Sequence, residues 1–187
     1  MIVIFEGLSD EQWGSFMHSS CFIIDKICSL TGFIITDKIF EELESKDYHA
    51  CIFSINNYRI AYRVGKKTPT KDGYFVTFWK RDFKKGAIRP FDAADNIDFF
   101  IIALINNHRS GYFIFDQSIL IAHDIISLNN KGGKRAFRIY PQWTFPLSSQ
   151  AIKTQKWQAP SFIDYDENSE AFNNFVKNKF YIPKSII

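Results

Sequence analysis

At residue 50 the spacing of the apolar positions changes, and that change bounds the fold. Ahead of it, Trp13, Phe16, Met17, Ile24, Ile27 and Leu30 recur at roughly helical spacing over 10–30. Ser9-Asp10-Glu11 opens that predicted helix and Gly32 stops it. Thr36-Asp37 caps a second predicted helix through Glu41, Glu42, Glu44 and Lys46, with Ile39, Phe40 and Leu43 as its apolar face. Behind residue 50 the pattern is that of strands. Ala50–Ile55 and Tyr58–Val64 flank Asn56-Asn57, which predicts a hairpin. Gly65–Gly73 reads as a loop around Pro69. Tyr74–Lys80 is apolar on both faces, the mark of a central strand, and Asp82–Asp92 reads as a basic loop.

Asp95-Asn96-Ile97-Asp98 leads into a buried strand, Phe99–Ile105, and Tyr112–Phe115 returns antiparallel to it. A short helix starts at Asp116, with Ile119, Leu120 and Ile121 inward. A last strand covers Lys134–Tyr140 and ends at Pro141. Ser148 or Ser149 caps a polar helix, and Phe172, Phe175 and Val176 mark a final amphipathic one. Together these segments give an α+β fold, a mixed and mostly antiparallel sheet flanked by helices, in one domain over 1–187.

Charge narrows the function classes. The formal net charge is only +3, but it is segregated. Ten Lys/Arg fall between Arg59 and Arg89 against two acids, and six between Lys131 and Trp157 against none, while nine of the 20 acids precede residue 49. Such segregation produces a local positive field suited to a polyanion or an acidic partner. The three cysteines, Cys21, Cys28 and Cys51, form no Cys-x-x-Cys pair, so a reducing cytoplasm is expected. No run of about 18 apolar residues is present and Met1–Glu6 lacks the features of a signal peptide, so no membrane association is expected.

Candidate chemistry divides in two. Phosphodiester hydrolysis needs converging carboxylates, and Asp95 and Asp98, at the entrance to a buried strand, are the candidate catalytic pair, with Glu42 and Glu44 as further acids. The competing reading of Asp95–Asp98 is a capped turn. His18, His49, His108 and His123 lack metal-ligand spacing, so no metal set is assigned and Mg²⁺ enters only under a nuclease reading. Gly132-Gly133-Lys134-Arg135 lacks the spacing of a phosphate loop and reads as a turn entering a strand. Polyanion contact is better supported. Its candidate residues are Lys66 and Lys71 on the Gly/Pro-bounded loop, Lys80 and Arg81 at a strand end, Lys134, Arg135 and Arg138 on the last strand, and Lys153, Gln155 and Trp157 on the polar helix. Of the other tryptophans, Trp79 is expected in the core and Trp143 nearer the surface.

The stretch Arg63-x-x-Lys66-x-Thr68-Pro69-Thr70-Lys71-x-Gly73-x-Phe75-Val76-x-x-Trp79-Lys80-Arg81 resembles the central motif of the MepB-like proteins. Pro90-Phe91 with Asp95 and Asp98, Gly132–Arg135 with Arg138-Ile139-Tyr140-Pro141-x-Trp143, and Gln150-Ala151-x-Lys153-Thr154-Gln155-x-Trp157-Gln158 are similar to that family too, over about residues 48–160. The resemblance implies a bacterial cytoplasmic protein, in some species encoded beside a multidrug efflux pump and its regulator. It also implies a restriction-endonuclease-like core and binding of DNA or RNA. An active nuclease of that class places an acid two residues before a strand Lys. Here the place reads Phe78-Trp79-Lys80. Asp116-Gln117 likewise stands where relatives are expected to carry Pro-Lys. The expectation is therefore a nucleic-acid-binding protein without a standard nuclease site, ahead of a binder of a small anion or regulatory protein, and of a metal-dependent nuclease.

Overall fold

The computed structural model describes residues 20–42, 48–81, 86–106, 109–166 and 169–180. The helix start at Ser9–Glu11 with Trp13, Phe16 and Met17, the residues Leu43, Glu44 and Lys46 of the second expected helix, and positions 82–85 of the expected basic loop lie outside them. In chain order the elements are α1 (Ser20–Thr31), β1 (Phe40–Glu41), β2 (Cys51–Ile55), β3 (Tyr58–Val64), β4 (Lys66–Thr68), β5 (Lys71–Thr77), β6 (Trp79–Arg81) and β7 (Ile88–Pro90). They continue with β8 (Phe99–Asn106), β9 (Arg109–Asp116), α2 (Gln117–Ala122), β10 (Ala136–Ile139), α3 (Ser149–Gln158), β11 (Phe162–Asp164) and α4 (Glu170–Phe180).

Six strands form the main sheet in the order β1-β2-β3-β8-β9-β11. Its neighbours pair antiparallel except β3 and β8, which run parallel. A parallel pair needs a long crossover. This one carries β4–β7, so the crossover itself supplies most of a second layer. Three strands, β10-β5-β4, make a smaller antiparallel sheet, and β6 pairs with β7.

The continuous apolar run of β8 has a direct cause, since both of its faces are buried. Phe99, Ile101 and Ala103 join a cluster with Ile23, Ile24 and Ile27 of α1 and Phe172, Val176 and Phe180 of α4. Phe100, Ile102 and Leu104 join a second cluster with Tyr74, Val76 and Phe78, and with Phe137 and Ile139 of β10. The result is three layers: helices, main sheet, small sheet. The α+β architecture with a mixed, mostly antiparallel sheet is as expected.

Local expectations fared unevenly. The β2–β3 hairpin forms at Asn56-Asn57, with Asn56 at φ 49, a left-handed conformation that Asn tolerates. Asp116 caps α2 by accepting from Ile119 N–H at 3.0 Å, and Ser148 rather than Ser149 caps α3. The first helix is described only from Ser20. The second predicted helix is not observed where it is described. Phe40 and Glu41 instead pair with Ile52 and Cys51, and Glu42 N–H donates to Ala50 O at 2.8 Å. Strand pairing along the exposed edge of β2 outweighs the helical pattern there. Gly65–Gly73 is not a loop but the hairpin of β4 and β5, turning between Thr68 and Lys71. The expected strand over Tyr74–Lys80 begins earlier, at Lys71, and divides at Phe78, while Ile88–Pro90 adds a strand inside the expected basic loop.

The open edge of β10 is closed by a side chain. Gln158, fully buried, accepts from Tyr140 N–H at 2.9 Å and donates to Arg138 O at 3.0 Å. Its carboxamide thus satisfies the two backbone groups that another strand would have taken.

Candidate functional site

Register across the small sheet places three side chains in one row. Lys66 of β4 pairs with Phe75 of β5, and Phe75 with Arg138 of β10. Paired residues point to the same face. Tyr74, Val76, Phe78, Phe137 and Ile139 point inward to the core, so the row belongs to the opposite, outer face. The row reads cation, ring, cation. Lys66 Nζ lies 4.7 Å from the centroid of the Tyr48 ring. Arg138 donates to Thr68 Oγ1 at 2.7 Å and to Asp72 O at 3.1 Å, locking the hairpin tip that carries Lys67 and Lys71. Both acceptors are neutral, so these bonds orient the guanidinium without cancelling its charge.

Alternation carries Thr77 and Trp79 to the same side as Phe75, because Phe78 continues the ladder by donating to Arg135 O at 2.8 Å. Phe75, Thr77 and Trp79 are each partly exposed. Neither ring belongs to a core cluster of the described residues. Thr77 Oγ1, between them, is shielded and has no hydrogen-bond partner. Gly73, at φ +73, adjoins this face: a Cβ there would lie 2.6 Å from both Ile139 O and the Tyr140 ring, so only glycine fits.

Trp79 and Trp143 are both partly buried. Trp143 packs against the second core cluster, edge-on to Phe162 at 5.1 Å, with its Nε1 buried and unpartnered. Trp79, expected in the core, is the one on the outer face.

The remaining basic candidates do not all join the row. Lys71 is exposed at the hairpin tip, across from Thr68. Lys80 Nζ forms an ion pair with Asp95 Oδ1 at 2.6 Å, and Arg81 donates to Gly86 O. Lys134 and Arg135 are exposed on the approach to β10. Gly132 and Gly133 turn there with φ 73 and 80, and Gly133 N–H donates to Asp124 Oδ1 at 3.3 Å. On α3, Lys153 is exposed, whereas Gln155 gives its amide to Pro141 O at 2.9 Å and Thr144 O at 2.8 Å. Trp157 stacks on His123 with centroids 4.0 Å apart and lies against the second core cluster.

The acidic candidates are separately engaged. Asp92, 4% exposed, caps a 3₁₀ turn over Ala93–Asp95, and Asp95 accepts from Asp92 N–H at 2.9 Å. The capped turn is a capping box that lies over Asp92–Asp95, three residues ahead of the Asp95–Asp98 turn expected from the sequence. Asp95 also accepts from Arg89 at 2.6 and 3.2 Å. Asp98 Oδ2 accepts from Arg59 N–H of β3 at 2.8 Å. Glu42 pairs with Arg63 at 2.7 Å. Among the described residues, no group of three His, Cys, Asp or Glu is placed to hold a metal ion.

Burial alone would raise the Asp95 pKa. Hydrogen bonds from Arg89, Lys80 and Asp92 N–H, with the Lys80 charge, outweigh it and hold the carboxyl below its usual value. Asp92 is lowered in the same sense: burial opposes, while Ser127, the Ala94 and Asn130 amides and Arg89 prevail. A carboxylate lowered on folding contributes stability above its unfolded pKa of about 3.9 and loses that contribution as pH falls through the folded value. The melting temperature is therefore expected to stay level from about pH 7 to 5 and to fall below about pH 4. Asp95→Asn should remove part of that acid-side fall; an unchanged pH profile would remove Asp95 from its cause.

Sequence reasoning missed Arg63, Asp92 and Phe75 as site-forming residues. Arg63 is 1% exposed on β3, donates to Tyr62 O at 2.7 Å and stands 5.5 Å from the Phe91 ring centroid. The signal for it was positional: a charged residue falling inside a strand of otherwise apolar character.

No helix among the described residues is long and apolar enough to cross a membrane. A search of curated proteins finds no match to this chain. A solved crystal structure of MepB is similar to it at 37% sequence identity with a TM-score of 0.66, covering 71% of this chain and 88% of the other. The MepB-like family model matches residues 42–164, which include both sheets' central strands and the row Lys66–Phe75–Arg138. On these two matches, the chain belongs to the MepB-like family.

Proposed function

We propose that this chain binds nucleic acid through the outer face of the small sheet, on a nuclease-like core that lacks a standard nuclease active site. The observation that carries the reading is the cross-strand row Lys66–Phe75–Arg138, with Lys71 at the tip of the same hairpin. Two of these cations hold geometry that leaves their charge available to phosphates, and the ring between them suits a base. A parallel β3–β8 pair within a mixed sheet, with helices on one face, supports the restriction-endonuclease-like core. Unpaired Cys21, Cys28 and Cys51 support a cytoplasmic setting.

The nuclease alternative has weaker support. It assigns catalysis to Asp95 and Asp98 with Mg²⁺, yet Asp95 is committed to Lys80 and Arg89 and Asp98 to the β3 backbone. Phe78, where an acid would stand, is fully buried in the core. Titration of a fluorescein-labelled 20-mer at several salt concentrations tests the binding reading. With Lys66, Lys71 and Arg138 on phosphates, affinity should fall about tenfold or more between 50 and 200 mM salt. An oligonucleotide that fails to bind at 50 mM, while a small anion binds at micromolar concentration, would transfer the site to a small ligand.

A further inference from the structure

We infer that the occupant of this face is single-stranded nucleic acid, with Phe75 and Trp79 as base-stacking platforms; the inference rests on the nucleic-acid reading above. The argument begins with what the two rings are not doing. Phe75 and Trp79 lie on the face opposite Tyr74, Val76 and Phe78, partly exposed and outside both core clusters of the described residues. A chain with 20 Phe has ample apolar area to bury, so two rings on a basic outer face are not needed for the core.

Their spacing suits two bases of one strand that are not immediate neighbours. Four positions apart on extended backbone, with Thr77 between them, the rings are separated by about 13 Å along the strand. Across the strands, Lys66 and Arg138 flank Phe75 at one interstrand spacing each, about 4.8 Å. A backbone running beside such a ladder meets cations while its bases lie over rings. Sheet faces that present aromatic side chains to splayed bases work in this manner in several RNA- and DNA-binding modules.

Strand state follows from access. In a duplex the base faces are stacked on one another, and only edges and phosphates are offered. Phe75 and Trp79 then have nothing to cover. In a single strand every base offers a π-face, whatever its identity. The face therefore discriminates by strand state and not by sequence. Thr77 Oγ1, the polar side-chain atom between Phe75 and Trp79 along the strand, is shielded from solvent and so is not placed to read a base edge.

The test compares full-length protein with fluorescein-labelled oligo-dT, oligo-U, a duplex of equal length, and an abasic strand that keeps the phosphates. Both single strands are expected to bind at least about tenfold tighter than the duplex and the abasic strand. Phe75→Leu should weaken single-strand binding about 5- to 100-fold and leave duplex binding unchanged, and Phe75→Tyr should restore it. Equal, salt-sensitive affinity for single strand, duplex and abasic strand would overturn this inference and leave the phosphate-binding reading standing. Absence of binding to all four at low salt would overturn that reading itself. The abasic comparison needs no substitution, so it decides even if Phe75→Leu unfolds the protein.

Discussion

Arg63→Ala is expected to destabilise the protein by about 3–5 kcal/mol, the largest effect of any single substitution considered, because it breaks a buried ion pair from one side. Arg63 is fully enclosed, with its Nη2 on Glu42 at 2.7 Å and its Nη1 on Tyr62 O at 2.7 Å. Its planar head stands over Phe91, a residue shared with the Phe78 and Phe100 ring cluster. Removing it leaves the Glu42 carboxylate without its partner, a carbonyl without its donor, and a void beside Phe91. Stabilities of single domains are about 5–15 kcal/mol, so a loss of this size removes a large part of the total.

A second variant separates charge from packing. Arg63 Nε has no hydrogen-bond partner, so the native arrangement is itself imperfect. Arg63→Met restores most of the volume without the guanidinium, and is expected to cost distinctly less than Arg63→Ala. Urea unfolding followed by fluorescence measures both. An Arg63→Ala midpoint indistinguishable from the unsubstituted protein would show that the pair contributes nothing to the fold.

The fold was more legible in the sequence than the site, and particular residues show why. The β2–β3 hairpin carries its own local signal at Asn56-Asn57, and β8 announces double burial by an unbroken apolar run. Both features depend on residues close in sequence. The edge strand β1 does not. Phe40 and Glu41 follow a helical pattern, and only the unpaired edge of β2, more than ten residues later, makes them a strand. Likewise Lys66–Thr68 looks like a loop until Lys71–Thr77 folds back on it.

Site residues were harder for the same reason. The basic residues were visible as a group, but their division was not. Lys80 is drawn to Asp95 by the β6–β7 pairing and the 3₁₀ turn, while Lys66 and Arg138 come to flank Phe75 only when the distant β10 pairs with β5. Gln155 and Trp157 have the right chemistry for nucleic acid, yet in space one ties down the 141–144 loop and the other stacks on His123. Trp79 was expected in the core because the run Tyr74–Trp79 is apolar on both sides. Alternation cannot say which side is covered; packing against the main sheet decides it.

Replacing both cations of the row should have the largest effect on binding. Phosphate contacts release counterions, and for a single strand each contact contributes about 0.7 to the slope of log affinity against log salt. Lys66→Ala combined with Arg138→Ala should therefore flatten that slope by about 1.4 and weaken binding steeply at low salt, with oligo-dT as the probe. Arg138→Lys in place of Arg138→Ala keeps the charge while losing the bonds to Thr68 and Asp72, and should recover about half of the lost slope. The decisive measurement is this slope for the unsubstituted and doubly substituted proteins, both checked for an intact fold by circular dichroism. The outer face of the small sheet as the phosphate-contacting surface predicts the flattened line. Two parallel lines of equal slope and affinity would contradict it.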